Sequence, residues 1–336
     1  MTGARPAENA LGSARLHWMD FLRGLAVLLV VLMHSNEHGG VSLPWWTDAN
    51  EYLAPFRMPL LMFLSGLLVE HSMAKPLPQY VWGKVAAIAW PLVIWLVLYG
   101  LLARDGFGLP LDLHAYLTSG DYLWFLMALL ACYGLALLFK PLTAALPRTH
   151  HWGYLLVFVA AVLLAVATGI EQGLKGNTLW YGAFFFLGAW ARPYLRRWLD
   201  APWAGVVPLL LVVAAASYAT VRAGIPSFAT LPGACLSALG ILGIVWVAPH
   251  LPPSAFLRFV TWCGRSSIVV YVVHFPVLVL LRDRVLPAGA LPDVAHVLVL
   301  TVATLAVTVL LVWARPWTPW LYTMPQHLRP GRVRAA

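Results

Sequence analysis

The stretch "DFLRGLAVLLVVLMHSNEHG", residues 20–39, decides the class of protein. Its central part is almost entirely apolar, and about 20 such residues are needed to cross the roughly 30 Å hydrocarbon core of a bilayer. Asp20 and Arg23 stand near its start and His34 near its end. The stretch therefore predicts a membrane-spanning helix that carries ionisable groups at both ends.

The whole chain has the composition of a membrane protein. It has 336 residues, of which 61% are hydrophobic and 10% are charged, whereas about a quarter of the residues of a soluble domain are charged. We predict an all-α, polytopic fold, a single transmembrane domain over residues 1–336 with short tails at 1–17 and 314–336. About ten membrane helices are expected, at 18–36, 53–70, 83–103, 122–139, 152–169, 178–191, 205–221, 231–248, 266–282 and 294–313.

The positive charge of the chain follows the topology that this scheme predicts. The formal net charge is +9, but the basic residues are scattered, which does not favour a nucleic-acid partner. If the N-terminus is cytoplasmic, most of them fall in inner segments, as the positive-inside rule requires. We therefore expect both termini in the cytoplasm and the protein in the cell (inner) membrane. The loops predicted to lie outside hold Arg104, Lys175, Arg222, Arg282 and Arg284.

The ionisable residues of the first helix need an explanation, because a charged group at the bilayer centre costs about 3 kcal/mol on insertion scales. Arg23 and His34 are separated by about three helical turns, so they share one face at a distance of roughly 16 Å along the axis. They could line one channel. Alternatively, Asp20 and Arg23 form a structural ion pair at the spacing that helical pairs use, and His34 ends the helix.

The second segment, "PFRMPLLMFLSGLL" at residues 55–68, places another cation in the membrane. Arg57 is expected at about the depth of His34, where its charge would favour the neutral, base-competent imidazole. The alternative is that Arg57 reaches the outer headgroups. Ser65 and Gly66 follow deeper, where small residues allow helices to pack closely.

Two later segments carry further candidates. "WCGRSSIVVYVVHFPVLVLL", residues 262–281, places His274 near the middle of the bilayer, where it serves either function or an interhelical hydrogen bond. "DYLWFLMALL", residues 121–130, places Tyr122 and Trp124 at the outer interface.

An aromatic belt at the membrane surface would explain several of these rings without a function, and the same holds for Trp45, Trp46, Trp180 and Tyr181. Near the end of the first helix, Glu37 is close enough in sequence to His34 to orient its imidazole. Cys132, Cys235 and Cys263 lack the spacing of a disulfide framework or a zinc site, so we expect no metal.

Four stretches in this order, Arg23 to His34 in "MDFLRGLAVLLVVLMH", then "FRMPLLMFLSG", "YLWFL" and "GRSSIVVYVVHFP", resemble the membrane-bound acyltransferase 3 family over essentially the whole chain. The resemblance implies about ten helices and transfer of small acyl groups to sugars, lipids, peptides or antibiotics. It also implies that His34 is the catalytic base, and that Arg23, preceded by the acidic Asp20, belongs to the conduit for the donor.

The remaining motif residues are placed by the same resemblance. Arg57, Ser65 and Gly66 fit the second-helix motif, and His274 with Pro276 fits the late His-x-Pro motif. The implied donor is a cytoplasmic acyl coenzyme A, and the implied acceptor is extracytoplasmic. Only 23 residues follow residue 313, so we expect no soluble hydrolase-like domain there and expect transfer to finish in the membrane domain.

Acyl transfer is the chemistry that this resemblance implies, and His34 is the residue at which to test it first. The donor is expected to be acetyl coenzyme A, the acceptor a carbohydrate or other small molecule, and the lipid bilayer the surroundings; oligomeric state stays open. An exporter of small molecules or sugars, using the same polar pathway, is the alternative. Candidate residues are His34 and Arg57 for catalysis, Asp20, Arg23, Ser65 and His274 for the donor, and Glu37, Tyr122 and Trp124 for the acceptor, together with segments 37–52 and 104–121.

Overall fold

The computed structural model describes residues 17–104, 122–146 and 149–329, and these ranges contain helices and no strand. Short π turns lie at Val85–Ala89 and Leu281–Val285. The α-helices, numbered in chain order, are α1 (His17–Glu37), α2 (Pro44–Gly66), α3 (Val69–Met73), α4 (Leu77–Lys84), α5 (Trp90–Arg104), α6 (Trp124–Ala136), α7 (Lys140–Ala145), α8 (His151–Thr168), α9 (Leu174–Ala191), α10 (Leu195–Leu199), α11 (Trp203–Arg222), α12 (Leu231–His250), α13 (Ala255–Arg265), α14 (Ser267–Leu280) and α15 (Asp293–Ala314).

The all-α, multi-pass fold predicted from the sequence is confirmed. Within the described ranges, 8 helical segments are long and apolar enough to cross a membrane, or 9 if the bent pair α13 and α14 is one span. The predicted segment at 178–191 is α9, which begins earlier and is less apolar because Lys175 and Asn177 lie in its first turns. The cytoplasmic placement of the termini stays a prediction, and residues 1–16 and 330–336 lie outside the described ranges.

The helices that carry the ionisable residues lie at the centre of the bundle. In the most apolar parts of α1 and of α2 with α3, 56% and 61% of the residues are buried, against 17% in both α8 and α11. The outer helices expose leucines instead, such as Leu156 and Leu211. Polar groups are therefore shielded from lipid by apolar helices, as an intramembrane site requires. We call the two ends of the bundle the Asp20 end and the His34 end.

Two glycine crossings set the distances between the central helices. A Cβ atom on Gly24 would overlap the carbonyl oxygen of Val260 in α13, and one on Gly264 would overlap that of Asp20 in α1. Another reciprocal crossing joins α2 to α9, where Gly66 meets Phe185 and Gly188 meets Phe63. Since apolar side chains gain little from leaving lipid, close backbone packing of this kind is a main source of helix association in membranes.

The structure corrects two boundaries. The predicted loop at 37–52 is helical from Pro44, because a proline at the first helical position already has a suitable φ and needs no hydrogen-bond donor. The segment predicted at 266–282 is preceded by a separate helix, α13, which meets α14 at an angle of 86°. The sequence reasoning missed α13 because its charged residues, Arg258 and Arg265, interrupt the apolar pattern.

The first part of the predicted C-terminal tail packs against the bundle. The indole Nε1 of Trp95 donates to the carbonyl oxygen of Leu321 at 3.0 Å, and the amide of Met324 donates to that of Ala86 at 3.0 Å. The Tyr322 side chain is buried between these contacts. Residues following α15 therefore close the bundle beside the π turn that precedes α5.

Replacing Gly24 with alanine is expected to lower the stability of the folded protein by about 1–3 kcal/mol, because the added methyl group must push α13 away from α1. Thermal unfolding of the purified protein in detergent measures the change. The matched control is Gly134→Ala in α6, where no atom lies within 4 Å of the added carbon and alanine favours the helix by up to about 1 kcal/mol. Equal stability of the Gly24→Ala variant and the wild type would contradict this account of the crossing.

Candidate functional site

A cavity of about 750 Å³ opens at the His34 end of the bundle. Its walls come from α1, α2, α5, α6, α9 and α14 and from the loop before α12. Its lining includes His34 and Glu37 of α1, Arg57 of α2, and Tyr122 and Trp124 at the start of α6. Five of the candidate catalytic and binding residues predicted from the sequence thus lie in one cavity.

The connection between α1 and α2 fixes one edge of this cavity. The Asn36 side chain accepts a hydrogen bond from the Leu43 amide at 2.8 Å and donates to the Thr47 hydroxyl at 2.9 Å. A buried asparagine thus replaces the backbone partners that a tight loop lacks. It holds the end of α1, with His34 and Glu37, against the first turns of α2.

His34 is hydrogen-bonded to His274 across the interface of α1 and α14. The distance between His34 Nδ1 and His274 Nε2 is 2.9 Å, and His274 Nδ1 lies 3.0 Å from the carbonyl oxygen of Val270. A carbonyl can only accept, so His274 Nδ1 carries the proton. The Nε2 atom of neutral His274 then accepts from His34 Nδ1, and His34 Nε2 is the basic nitrogen. His274 thus orients the imidazole of His34, a role for which Glu37 was one candidate from the sequence.

Arg57 also lines the cavity, and its guanidinium interacts with several neighbouring side chains. Its Nη1 donates to Asn50 Oδ1 at 2.9 Å within α2. Glu37 and Tyr181 are close enough to the guanidinium to interact with it electrostatically. The guanidinium also interacts electrostatically with the His34 imidazole. Arg57 is buried, so its side chain does not extend to the lipid headgroups.

The aromatic residues around the cavity face inward. Tyr122 and Trp180 are buried, with 7% and 1% of their surfaces exposed, so an aromatic belt facing lipid does not explain them. Trp124 stacks on Tyr181 with ring centres 5.1 Å apart, and Tyr181 contacts Phe228 at 5.7 Å. These three rings form one wall of the cavity, which we call the aromatic wall.

The Asp20 end holds a separate polar group. Asp20 lies 3.6 Å from Arg265 of α13 and 4.0 Å from Arg23. Ser65 donates its hydroxyl hydrogen to Leu61 within α2, and its carbonyl oxygen is 3.4 Å from the Tyr133 hydroxyl. Arg23 is close enough to Tyr133 for its charge to interact with the tyrosine hydroxyl. Asp20, Arg23 and Ser65 therefore do not line the cavity with His34, although Arg23 and His34 share a helix.

Comparison with known proteins identifies the family to which this chain belongs. The sequence model described as "Acyltransferase domain" matches residues 16–313. The chain belongs to the acyltransferase 3 family. The resemblance seen in the sequence is thereby confirmed, over a region that includes every candidate site residue.

One curated relative of this acyltransferase 3 protein is the "Inner membrane protein YcfT" of Escherichia coli (strain K12). It is 28% identical over 217 residues, which cover 52% of this chain and 55% of the relative. The chain thus spans about half the length of that relative. No solved structure matches the chain.

Several cavity residues of this acyltransferase 3 protein were missed by the sequence reasoning. Asn50, Glu51, Gln172 and Asn177 all line the cavity. Asn50 lay in a predicted loop, and Asn177 fell just outside the predicted segment at 178–191; polar residues within helix ends were the available signal. The predicted acceptor segment at 104–121 lies almost wholly outside the described residues. In the described ranges, no group of three or more His, Cys, Asp or Glu residues could hold a metal ion.

The geometry predicts unusual tautomers for both imidazoles. Neutral His34 and His274 should each carry their proton on Nδ1, because each donates through that atom. Nitrogen-15 NMR of histidine-labelled protein in nanodiscs, with signals assigned by His34→Gln and His274→Gln variants, reads the protonated atom directly. A proton on Nε2 of neutral His34 would contradict the assignment, and His71, which is exposed, supplies an internal reference.

Proposed function

We propose that this protein transfers a short acyl group, such as acetyl, from cytoplasmic acyl coenzyme A to a hydroxyl or amine of an extracytoplasmic carbohydrate. The observation that carries the proposal is the hydrogen bond from His34 to His274, which leaves His34 Nε2 basic in a large cavity that Arg57 also lines. Such a pair supplies a base and a cation at one place, as acyl transfer requires.

The proposed reaction begins at the acceptor. His34 Nε2 removes the proton as the acceptor oxygen or nitrogen attacks the thioester carbonyl, so a bond forms to the acyl carbon and its oxygen becomes an oxyanion. When the oxyanion collapses, the carbon–sulfur bond breaks and the coenzyme A thiolate takes the proton back from His34. His274 is a positioning residue, since it accepts from Nδ1 and keeps the lone pair of His34 on Nε2.

Arg57 is the candidate for oxyanion contact. A guanidinium has five N–H donors, and Asn50 accepts from only one nitrogen, Nη1. Binding to Asn50 fixes the plane of the group while other donors remain for the reacting oxygen. A donor held rigidly in a site poor in water stabilises developing charge without reorganising, which typically contributes a factor of about 10²–10³ to the rate.

The donor is proposed to enter from the Asp20 end. Arg23 is partly exposed there, with 26% of its side-chain surface accessible, and guanidinium groups bind phosphate oxygens through two parallel hydrogen bonds. Arg23 and Ser65 would contact the donor below the cavity. This direction agrees with cytoplasmic termini and with an inner-membrane location, and the Escherichia coli relative is named as an inner membrane protein.

Replacing His34 with glutamine is expected to lower acyl transfer by about 10²–10⁴-fold, the usual contribution of a general base. Binding of acetyl coenzyme A should persist, because His34 lies far from the entry site of the donor. The assay follows a radiolabelled acetyl group from acetyl coenzyme A into acceptor or water, with protein in nanodiscs. His71→Gln is the matched control, since His71 is exposed outside the cavity.

Two results would contradict this proposal. Unchanged transfer in the His34→Gln variant would remove the catalytic assignment. If the wild type binds no short-chain acyl coenzyme A, the exporter alternative becomes the better explanation, and uptake of sugars into sealed vesicles is then the measurement.

Replacing Arg23 with glutamine is expected to weaken donor binding by about tenfold, because a charge-assisted hydrogen bond to phosphate is lost. Calorimetric titration with acetyl coenzyme A measures the change. His34→Gln serves as the comparison and should bind with the affinity of the wild type. A donor affinity unchanged by Arg23→Gln would exclude Arg23 from the conduit.

A further inference from the structure

Two buried amide groups in the cavity have unused hydrogen-bonding capacity. Asn50 and Asn177 are 5% and 8% exposed, yet Asn50 Nδ2 and Asn177 Oδ1 have no hydrogen-bond partner in the described structure. Both residues line the cavity, one from α2 and the other from α9. A buried polar atom without a partner destabilises the protein, so a molecule that pairs with both atoms would recover that cost.

The two amides offer complementary chemistry. Asn50 Oδ1 is already occupied by Arg57, so its Nδ2 remains as a donor. Asn177 presents Oδ1 as an acceptor. A hydroxyl group both donates and accepts, so a molecule with several hydroxyl groups can satisfy both walls whichever way it is turned.

The aromatic wall adds an apolar surface to the cavity that holds the amides. Trp124 and Tyr181 stack on each other at an interplanar angle of 28°, and Phe228 is tilted by 59° from Tyr181. The faces of aromatic rings carry a partial negative charge, so they attract the weakly positive C–H groups on one face of a pyranose ring. The cavity, at about 750 Å³, is within the range of small-molecule sites, roughly 300–1,000 Å³.

The charges in the cavity disfavour an anionic ligand. Glu37 and Glu51 both line it, and Arg57 is the only lysine or arginine among the described lining residues. The Arg57 guanidinium already interacts electrostatically with the Glu37 carboxylate, and it donates a hydrogen bond to Asn50. A carboxylate or phosphate on the ligand would therefore meet repulsion that the single cation does not offset.

We infer that Asn50 and Asn177 determine acceptor specificity by binding hydroxyl groups of an uncharged pyranoside that packs against the aromatic wall, and that Glu37 and Glu51 exclude its uronate counterpart. The inference rests on the proposed function, since it describes the acceptor of the same site. It assigns roles to residues that do not take part in the proton transfer.

Binding and transfer are measured separately to test it. Calorimetry with wild-type protein in nanodiscs is run against methyl glucoside, galactoside, mannoside and N-acetylglucosaminide, and against methyl glucuronide and galacturonide. Transfer of labelled acetyl to each compound is then followed. We expect at least one neutral glycoside to bind about tenfold more tightly than the matched uronate.

The variants remove one hydrogen-bonding group each. Asn177→Leu keeps the side-chain volume but loses the acceptor, and Asn50→Asp keeps the partner of Arg57 but loses the donor. Each should raise the Kd and the acceptor KM about tenfold, the effect of about one hydrogen bond, with the KM for acetyl coenzyme A unchanged. Thr308→Val is the control, because it also removes a buried polar atom without a hydrogen-bond partner, but Thr308 is not among the lining residues of the cavity.

The outcomes separate this inference from the proposed function. Absence of binding by every neutral glycoside, equal binding of the uronates, or unchanged acceptor affinity in both asparagine variants would each overturn the inference. Saturable glycoside binding that both variants weaken, without any acetyl transfer, would support the glycoside-binding site and contradict the proposed function.

Discussion

The contact of backbone with backbone at glycine crossings is the constraint on which the rest of the structure depends. Lipid gives apolar helices little reason to associate, so packing must come from close fit. At Gly24 with Gly264, and at Gly66 with Gly188, no larger residue fits without moving a helix. These crossings hold α13 on α1 and α9 on α2, and so fix the two helices that carry His34 and Arg57.

Once those helices are fixed, the polar groups can be oriented by single hydrogen bonds. Asn36 holds the turn between α1 and α2, Asn50 holds the Arg57 guanidinium, and His274 holds the His34 imidazole. Each bond is strengthened by low-dielectric surroundings, in which an unpaired polar group is costly. The end of α1, the Arg57 guanidinium and the His34 imidazole thereby each have a fixed orientation at the cavity.

The membrane fold could be predicted from the sequence, because a spanning helix is recognised from the length of one apolar segment and from the few charges within it. The sequence also selected His34, Arg57, Tyr122 and Trp124, which share one cavity. It could not predict that His274, distant along the chain, is the partner of His34, since that depends on how α14 packs on α1. The aromatic residue Trp180 was misjudged for a similar reason: an interior ring and a lipid-facing ring have the same local pattern.

The sharp bend between α13 and α14 joins the two ends of the bundle. Only Ser266 separates α13, whose Arg265 lies beside Asp20, from α14, which carries His274. A shift of α13 relative to α1 must be absorbed at this single residue or transmitted along α14 to the histidine pair. The backbone thus connects the ion pair at the Asp20 end directly to the helix that carries His274, and the same helix lines the cavity through Tyr271 and Phe275.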